Sequence, residues 1–112
     1  MIEVVLKNYL ETCFNVPIYL EIPPNNTAKK FYALELVGGG EDNEIRESSI
    51  TIESYGPSMY ESALMDEEMI EAMENAPVCA EIYGVYLNSH YNATDTERKI
   101  YKYKALYDIK HY

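Results

Sequence analysis

The last thirteen residues of the chain, 100–112, alternate between two kinds of side chain. One set is mainly aromatic or apolar: Tyr101, Tyr103, Ala105, Tyr107, Ile109 and His111. The other set is mainly charged: Lys102, Lys104, Leu106, Asp108 and Lys110. Alternation with a period of two is typical of a β-strand with one buried face, because successive side chains of a strand point to opposite sides of the sheet. The chain must therefore fold around a sheet that has a covered face.

Two segments have the period of a helix and can supply that cover. Apolar side chains recur at every third or fourth position over residues 2–13, and Pro17 prevents the helix from continuing. A second helix is predicted from Ser58, because Ser58 and Glu61 have the spacing of a capping box, which satisfies free backbone donors at a helix start. This helix is predicted to end one or two residues before Pro77.

Four other segments rich in β-branched and aromatic residues are predicted strands, at residues 16–22, 31–37, 48–55 and 78–87. Three polar or glycine- and proline-rich segments are predicted loops, at residues 23–30, 38–47 and 88–96, and the first two are expected to be mobile in a free subunit. The order α-β-β-β-α-β-β predicts the α+β class, with an antiparallel or mixed sheet of four to five strands and two helices packed on one face. At 112 residues, the chain is expected to form a single domain.

The chain is strongly acidic, with a formal net charge of −10. Proteins that bind nucleic acid depend on Lys and Arg to neutralise phosphates, so this composition disfavours such a role. No apolar segment approaches the ~20 residues that span a bilayer. No basic region precedes an apolar one at the N-terminus, so no cleavable signal is expected. Cys13 and Cys79 lack the spacing of a zinc site or a redox pair, and both thiols are expected to be reduced inside a cell.

Residues 38–40 are three glycines that follow a predicted strand, as in phosphate-binding loops. No Lys-Ser/Thr pair follows them, and the acids Glu41, Asp42 and Glu44 would repel a phosphate, so a flexible turn is the better interpretation. The same acids lack the spacing of a calcium loop, which leaves a solvated acidic turn. The sequence therefore predicts no metal ion and no cofactor.

Candidate nucleophiles and bases are equally weak. Cys13 lies on the apolar side of the first helix and Cys79 in a predicted strand, so both are expected to be buried, inert thiols. Neither His90 nor His111 has an acid partner placed by the pattern. Asp66 projects from the apolar side of the second helix, where a carboxylate must find a partner or raise its pKa, and such residues are more often structural than catalytic. We therefore expect a protein that works by contact and is not an enzyme.

Charge is divided unevenly along the chain. Residues 61–81 contain seven acids and no base: Glu61, Asp66, Glu67, Glu68, Glu71, Glu74 and Glu81. Residues 98–110 contain one acid, Asp108, and five bases: Arg98, Lys99, Lys102, Lys104 and Lys110. The two patches either meet between subunits, in a head-to-tail assembly, or neighbour each other within one subunit. Leu64 lies among the glutamates, either as an interface anchor or as an ordinary exposed leucine.

Several short motifs follow one another in a recognisable order. Residues 16–23 are Val-Pro-Ile-Tyr-Leu-Glu-Ile-Pro, and residues 35–40 are Glu-Leu-Val-Gly-Gly-Gly. Asn43, then Ser62 and Ala63, then Glu67-Glu68-Met69 follow. Asp95 precedes residues 103–109, Tyr-Lys-Ala-Leu-Tyr-Asp-Ile. In this order the motifs resemble tail-terminator (minor tail, tail-completion) proteins of long-tailed phages, although Lys104 stands where Gln is usual.

The resemblance implies a structural phage or prophage protein without an active site. It implies a homo-oligomer, a hexameric ring that caps the tail tube, stops its polymerisation and joins it to the head connector. The implied partners are further copies of the chain, the tail tube protein and the head connector protein; no membrane is involved, and DNA passes through without specific binding. The implied location is the virion tail, assembled in the bacterial host cytoplasm.

The charge pattern and the predicted loops supply the candidate interface residues. They are Leu64, Glu67, Glu71, Lys102, Lys104, Glu41, Asp42 and Glu44. The second predicted loop, with its acids, is expected to contact the tube or the connector together with residues 23–30.

Two other interpretations stay open. Another neck component, such as a head-completion or stopper protein, has the same size and ring symmetry. An acidic mimic of DNA that inhibits a host nucleic-acid enzyme belongs to a different class, and the basic residues at 98–110 count against it. The mass in solution distinguishes these classes, because tail assembly requires an oligomer whereas the mimic is a strict monomer that binds a nuclease.

Overall fold

The computed structural model describes residues 1–42 and 45–112, and it confirms the predicted α+β class. The elements are helix α1 (Ile2–Cys13), strands β1 (Ile18–Tyr19), β2 (Phe31–Asp42) and β3 (Ile45–Gly56), helix α2 (Met59–Glu74), a 3-10 turn (Ala76–Val78), and strands β4 (Ile82–Asn92) and β5 (Tyr101–His111). The five strands form one mixed sheet in the order β1-β2-β3-β5-β4. Strands β1 and β2 are parallel, and the other neighbouring pairs are antiparallel.

The register of the strands places one face of the sheet under both helices. Leu34 lies opposite Ile52, and Ile52 lies opposite Ala105, so these three buried side chains share a face. The helices add Ile2, Leu6, Leu10, Met65, Met69 and Met73 to the same core. The Tyr9 hydroxyl of α1 donates a hydrogen bond of 2.9 Å to the Ala72 carbonyl of α2, so the helices lie side by side.

Helix α2 begins at the predicted cap. The Ser58 hydroxyl accepts a hydrogen bond from the Glu61 backbone N–H at 3.1 Å and donates one to the Glu61 carboxylate at 3.2 Å. The helix ends at Glu74, three residues before Pro77 and one residue earlier than the predicted range. An N-cap of this kind stabilises a helix by about 1 kcal/mol, so the sequence fixes the start of α2 locally.

Strand bounds differ from the predictions in several places. The predicted strand at 16–22 shortens to Ile18–Tyr19, because the prolines at 17 and 23 supply no backbone donors. The glycines at 38–40, predicted as a turn, instead continue β2 opposite residues 47–49 of β3. Strand β4 begins at Ile82 and continues through the predicted loop as far as Asn92, because β5 offers it a partner along its whole length. Residues 23–30 contain no helix or strand, as predicted.

The burial of Cys13 was predicted wrongly. The apolar stripe of α1 is buried at Ile2, Leu6 and Leu10, but Cys13 ends the helix and is exposed. Cys79 is half-buried beside the core. Cys13 is the last residue of the helix, where no further turn covers the apolar stripe, so its side chain meets solvent.

Candidate functional site: two charged surfaces and a groove

The side of α2 turned away from the sheet forms an acidic surface. It consists of four exposed glutamates, Glu67, Glu68, Glu71 and Glu74. Met65, Met69 and Met73 point into the core and so set the rotation of the helix. Because α2 contains no lysine or arginine, these carboxylates have no basic neighbour within their own helix. The predicted candidates Glu67 and Glu71 both belong to this surface.

A groove of about 380 Å³ lies beside the acidic surface. It is lined by residues from the end of α1 and the segment after it, together with α2: Cys13, Phe14, Asn15, Val16, Lys30, Tyr32, Tyr60, Glu61, Leu64, Met65 and Glu68. The predicted interface residue Leu64 is 42% exposed here and Tyr60 is 74% exposed. The groove therefore presents apolar side chains to solvent next to carboxylates. Sequence reasoning missed Tyr60 and Phe14, because the groove exists only once α1 and α2 are packed together.

The lysines of β5 lie on the open face, which is the face of the sheet turned away from the helices. The Lys102 ammonium lies 2.8 Å from the Glu53 carboxylate and 5.4 Å from the centre of the Tyr55 ring. Partial burial lowers the pKa of Lys102, but the hydrogen bond and charge of Glu53 outweigh it, and the pKa is raised overall. Lys110 lies 5.7 Å from the centre of the Tyr86 ring.

Lys104 differs from these two lysines. Within residues 1–42 and 45–112 it forms no ion pair. Glu53 lies directly opposite Lys104 in the register, but its carboxylate is bound by Lys102. Lys102 is thus engaged inside the subunit, whereas Lys104 forms no ion pair there. The two residues were predicted together as one patch, and the structure separates their roles.

The acidic surface and Lys104 lie on opposite sides of the sheet. Ala105 is fully buried under the helices, and its neighbour Lys104 must point the other way because strand side chains alternate. A helix layer and a sheet separate the two charges by more than roughly 10 Å, beyond the Debye length of about 8 Å at physiological salt. The interpretation in which the two patches pair within one subunit is therefore wrong for Lys104.

The predicted acidic loop is part of a β-hairpin. The backbone of Glu41 pairs with Arg46, and that of Asp42 pairs with Ile45. Glu44 lies outside the described residues. The flexible loop expected at 38–47 is therefore corrected to paired strands at 38–42 and 45–47, and the acids Glu41 and Asp42 lie at one end of the sheet.

Asp66 is buried, at 1% exposure, and its carboxylate Oδ2 lies 2.8 Å from Nδ1 of His90 in β4. Burial raises the pKa of Asp66, the hydrogen bond and charge of His90 lower it in part, and Glu67 raises it further. In the described part of the chain, Asp66 Oδ1 and the Tyr107 hydroxyl have no hydrogen-bond partner. A carboxylate on the apolar side of a helix requires a polar partner, and for Asp66 that partner is His90. The sequence predicted His90 to lie in a loop, whereas the structure places it in β4.

A second histidine pair was also missed. The Ser48 hydroxyl lies 2.8 Å from Nε2 of His111, and Nδ1 of His111 donates to the Tyr112 carbonyl at 3.2 Å. This is the arrangement of a nucleophile and its base, but both residues are buried, at 8% and 6% exposure. The pair lies under the helices and joins β3 to β5. His90 thus contacts Asp66, and His111 contacts Ser48.

The structure is thus an α+β protein with an acidic helix surface on one side of the sheet and an open sheet face, on the other side, that carries lysines beside acids. No protein-family model matches the chain, and no curated protein matches it. Among the residues that the structure describes, no three His, Cys, Asp or Glu side chains are grouped so that they could hold a metal ion. Within the same residues, neither helix is long and apolar enough to cross a membrane.

Proposed function

We propose that the protein is a structural assembly protein of a phage or prophage tail. It forms a homo-oligomeric ring, a hexamer, that caps the tail tube, stops its polymerisation and joins it to the head connector. The motif order from residue 16 to residue 109 supports the tail assignment through its resemblance to tail terminators. The surfaces described above support self-association.

The observation that carries the proposal is the placement of the acidic surface and Lys104 on opposite sides of one sheet. A surface of a single sign repels its own copy, so the favourable contact joins the α2 side of one subunit to the open face of the next. In an open oligomer joined head to tail, the subunit at one end has an unused acidic surface and the subunit at the other end has an unused open face. The two ends meet and close a ring when the rotation between subunits permits. Individual surface ion pairs contribute about 0–1 kcal/mol, so several must act together.

The test is the mass of the purified protein, measured by light scattering across a dilution series at low salt. The natural chain should reach the mass of a closed ring and dissociate on dilution. The double variant Glu67→Lys, Glu71→Lys should dissociate at a higher concentration, because it weakens the acidic surface. Its thermal midpoint should stay near that of the natural monomer, since both side chains are exposed.

The matched control is Glu21→Lys with Glu97→Lys, which changes the net charge equally at exposed acids outside α2. This control should keep the ring. A strict monomer at every concentration would contradict the proposal, and nuclease binding by that monomer would favour the DNA mimic. A ring that binds the connector without stopping tube growth would favour another neck component.

A further inference from the structure

The groove beside α2 has the composition of an unfilled contact site. Tyr60 and Leu64 of α2 expose apolar surface in its lining, to which Phe14 and Val16 from the segment after α1 also belong. Glu61 at the rim already pairs with Lys30 at 3.5 Å. Glu68, also at the rim, is exposed and forms no ion pair among the residues described. An apolar centre with a charged rim is typical of a protein interface.

The open face carries side chains of the complementary kind. Tyr91 of β4 lies directly opposite Lys104 of β5 in the register, so the two side chains project together from the same face. Tyr91 is 52% exposed. An aromatic residue thus neighbours a lysine that forms no ion pair among the described residues. Tyrosine is favoured at interfaces because it combines a large apolar ring with a hydroxyl that tolerates water.

We propose that the groove of one copy receives Tyr91 of a second copy, and that Lys104 of that second copy pairs with Glu68 at the rim. The inference rests on the proposed ring and names the residues that meet in it. The occupant is a second copy because the groove and its complement lie on opposite sides of the same chain. Every subunit therefore offers one of each, as a head-to-tail contact requires.

Cys13 makes the contact testable, because this exposed natural thiol lines the groove. Tyr91→Cys, in a chain that also carries Cys79→Ala, should place a second thiol against Cys13 of the neighbouring copy. Oxidation by dissolved oxygen with a copper catalyst removes two protons and two electrons from the thiol pair and forms a disulfide between subunits. Denaturing gels should then show a ladder that rises to the size of the ring, because each subunit forms two such bonds.

The matched control is Tyr86→Cys in the same background. Tyr86 lies in the same strand and is 53% exposed, but it pairs with Asp108, well along the strand from Lys104. It should give no ladder, and Cys13→Ser should abolish the ladder of the Tyr91→Cys chain. At low salt, Lys104→Glu should lower the ladder yield by up to roughly fivefold, and adding Glu68→Lys should restore it.

Two outcomes would overturn the inference in distinguishable ways. If light scattering shows a ring but Tyr91→Cys gives no ladder, or no more than Tyr86→Cys gives, the groove is not the contact and the ring proposal stands. If the natural chain is a monomer at every concentration, both proposals fail together.

Discussion

At the scale of single residues, Asp66 and His90 link helix α2 to the edge strand β4. Their 2.8 Å contact holds a carboxylate that faces Tyr107 of β5 and Tyr32 of β2, and burial raises the pKa of both tyrosines. Helical phase alone predicts that Asp66 faces the core. The identity of its partner depends on the register between β4 and β5, which is a long-range property that no local pattern contains.

The titration of Asp66 makes the free energy of unfolding depend on pH, and the direction of this dependence follows from the direction of the pKa shift. Because its pKa is raised in the folded state, the folded protein binds a proton at a pH where the unfolded chain has lost it. The stabilisation that the folded state gains from binding this proton more tightly is fully present below the ordinary pKa of 3.8. It is lost as the pH rises through the higher pKa of the folded state. The natural chain should gain stability relative to Asp66→Asn as the pH falls from neutral towards that ordinary value, as measured by urea unfolding.

Only the difference in unfolding free energy between the natural chain and Asp66→Asn is informative, because the other carboxylates titrate in both chains. Glu71→Gln, at an exposed glutamate of the same helix, is the matched control, and its difference from the natural chain should change less with pH than that of Asp66→Asn. A flat or reversed difference for Asp66→Asn would mean that the folded state does not hold the proton more tightly at this site.

At the scale of elements, the β2–β3 hairpin shows where local propensity fails. Three consecutive glycines have low strand propensity and predict a turn. In the structure, Gly38, Gly39 and Gly40 pair with residues 47–49, which β5 in turn supports through Lys110, Ile109 and Asp108. The helices, with their periodicity and cap, could be predicted almost to the residue, because those signals are local. Strand length could not, because it depends on partners far away in the chain.

Gly39 and Gly40 should respond differently to the same substitution. A Cβ at Gly39 would lie 2.9 Å from the Glu47 carbonyl oxygen, whereas a Cβ at Gly40 meets nothing within 4 Å. Gly39→Ala should therefore destabilise the protein by about 1–3 kcal/mol, the usual cost of overpacking. Gly40→Ala should be neutral or stabilising by about 0.4–1 kcal/mol, since alanine restricts the unfolded chain. Equal unfolding free energies for the two variants would show that the strands do not approach this closely.

At the scale of the whole molecule, the division of charge could be predicted, but its placement could not. Counting acids and bases by segment separates residues 61–81 from 98–110, and it leaves open whether the two meet within one subunit. The sheet decides the matter, because α2 covers one face and Lys104 projects from the other. Counting charges by segment also misses the ion pair of Lys102, because its partner, Glu53, is distant in sequence.

The hairpin end is the part of the molecule best placed to touch a partner other than a second copy. Strands of twelve residues extend about 40 Å, whereas the sixteen residues of α2 extend about 24 Å, so part of the sheet passes beyond that helix. The molecule is accordingly elongated, 46 Å in its longest dimension. Residues 35–40 of β2 are exposed. Under the proposed function, this end contacts the tail tube or the head connector.

Shortening the hairpin tests that role without disturbing the ring. Deleting only residues 38–42 would leave β3 without its partner, so we propose replacing residues 41–46 by Asn-Gly, a pair that favours a two-residue hairpin turn. The core, the groove and Lys104 stay in place, so the thermal midpoint and the mass of the ring should change little, while infectious tails in a complementation assay should be lost. Glu41→Gln with Asp42→Asn keeps the length and separates the effect of charge from that of shape. Normal numbers of tails from the shortened chain would mean that the contact with tube or connector lies elsewhere, with residues 23–30 the next segment to shorten.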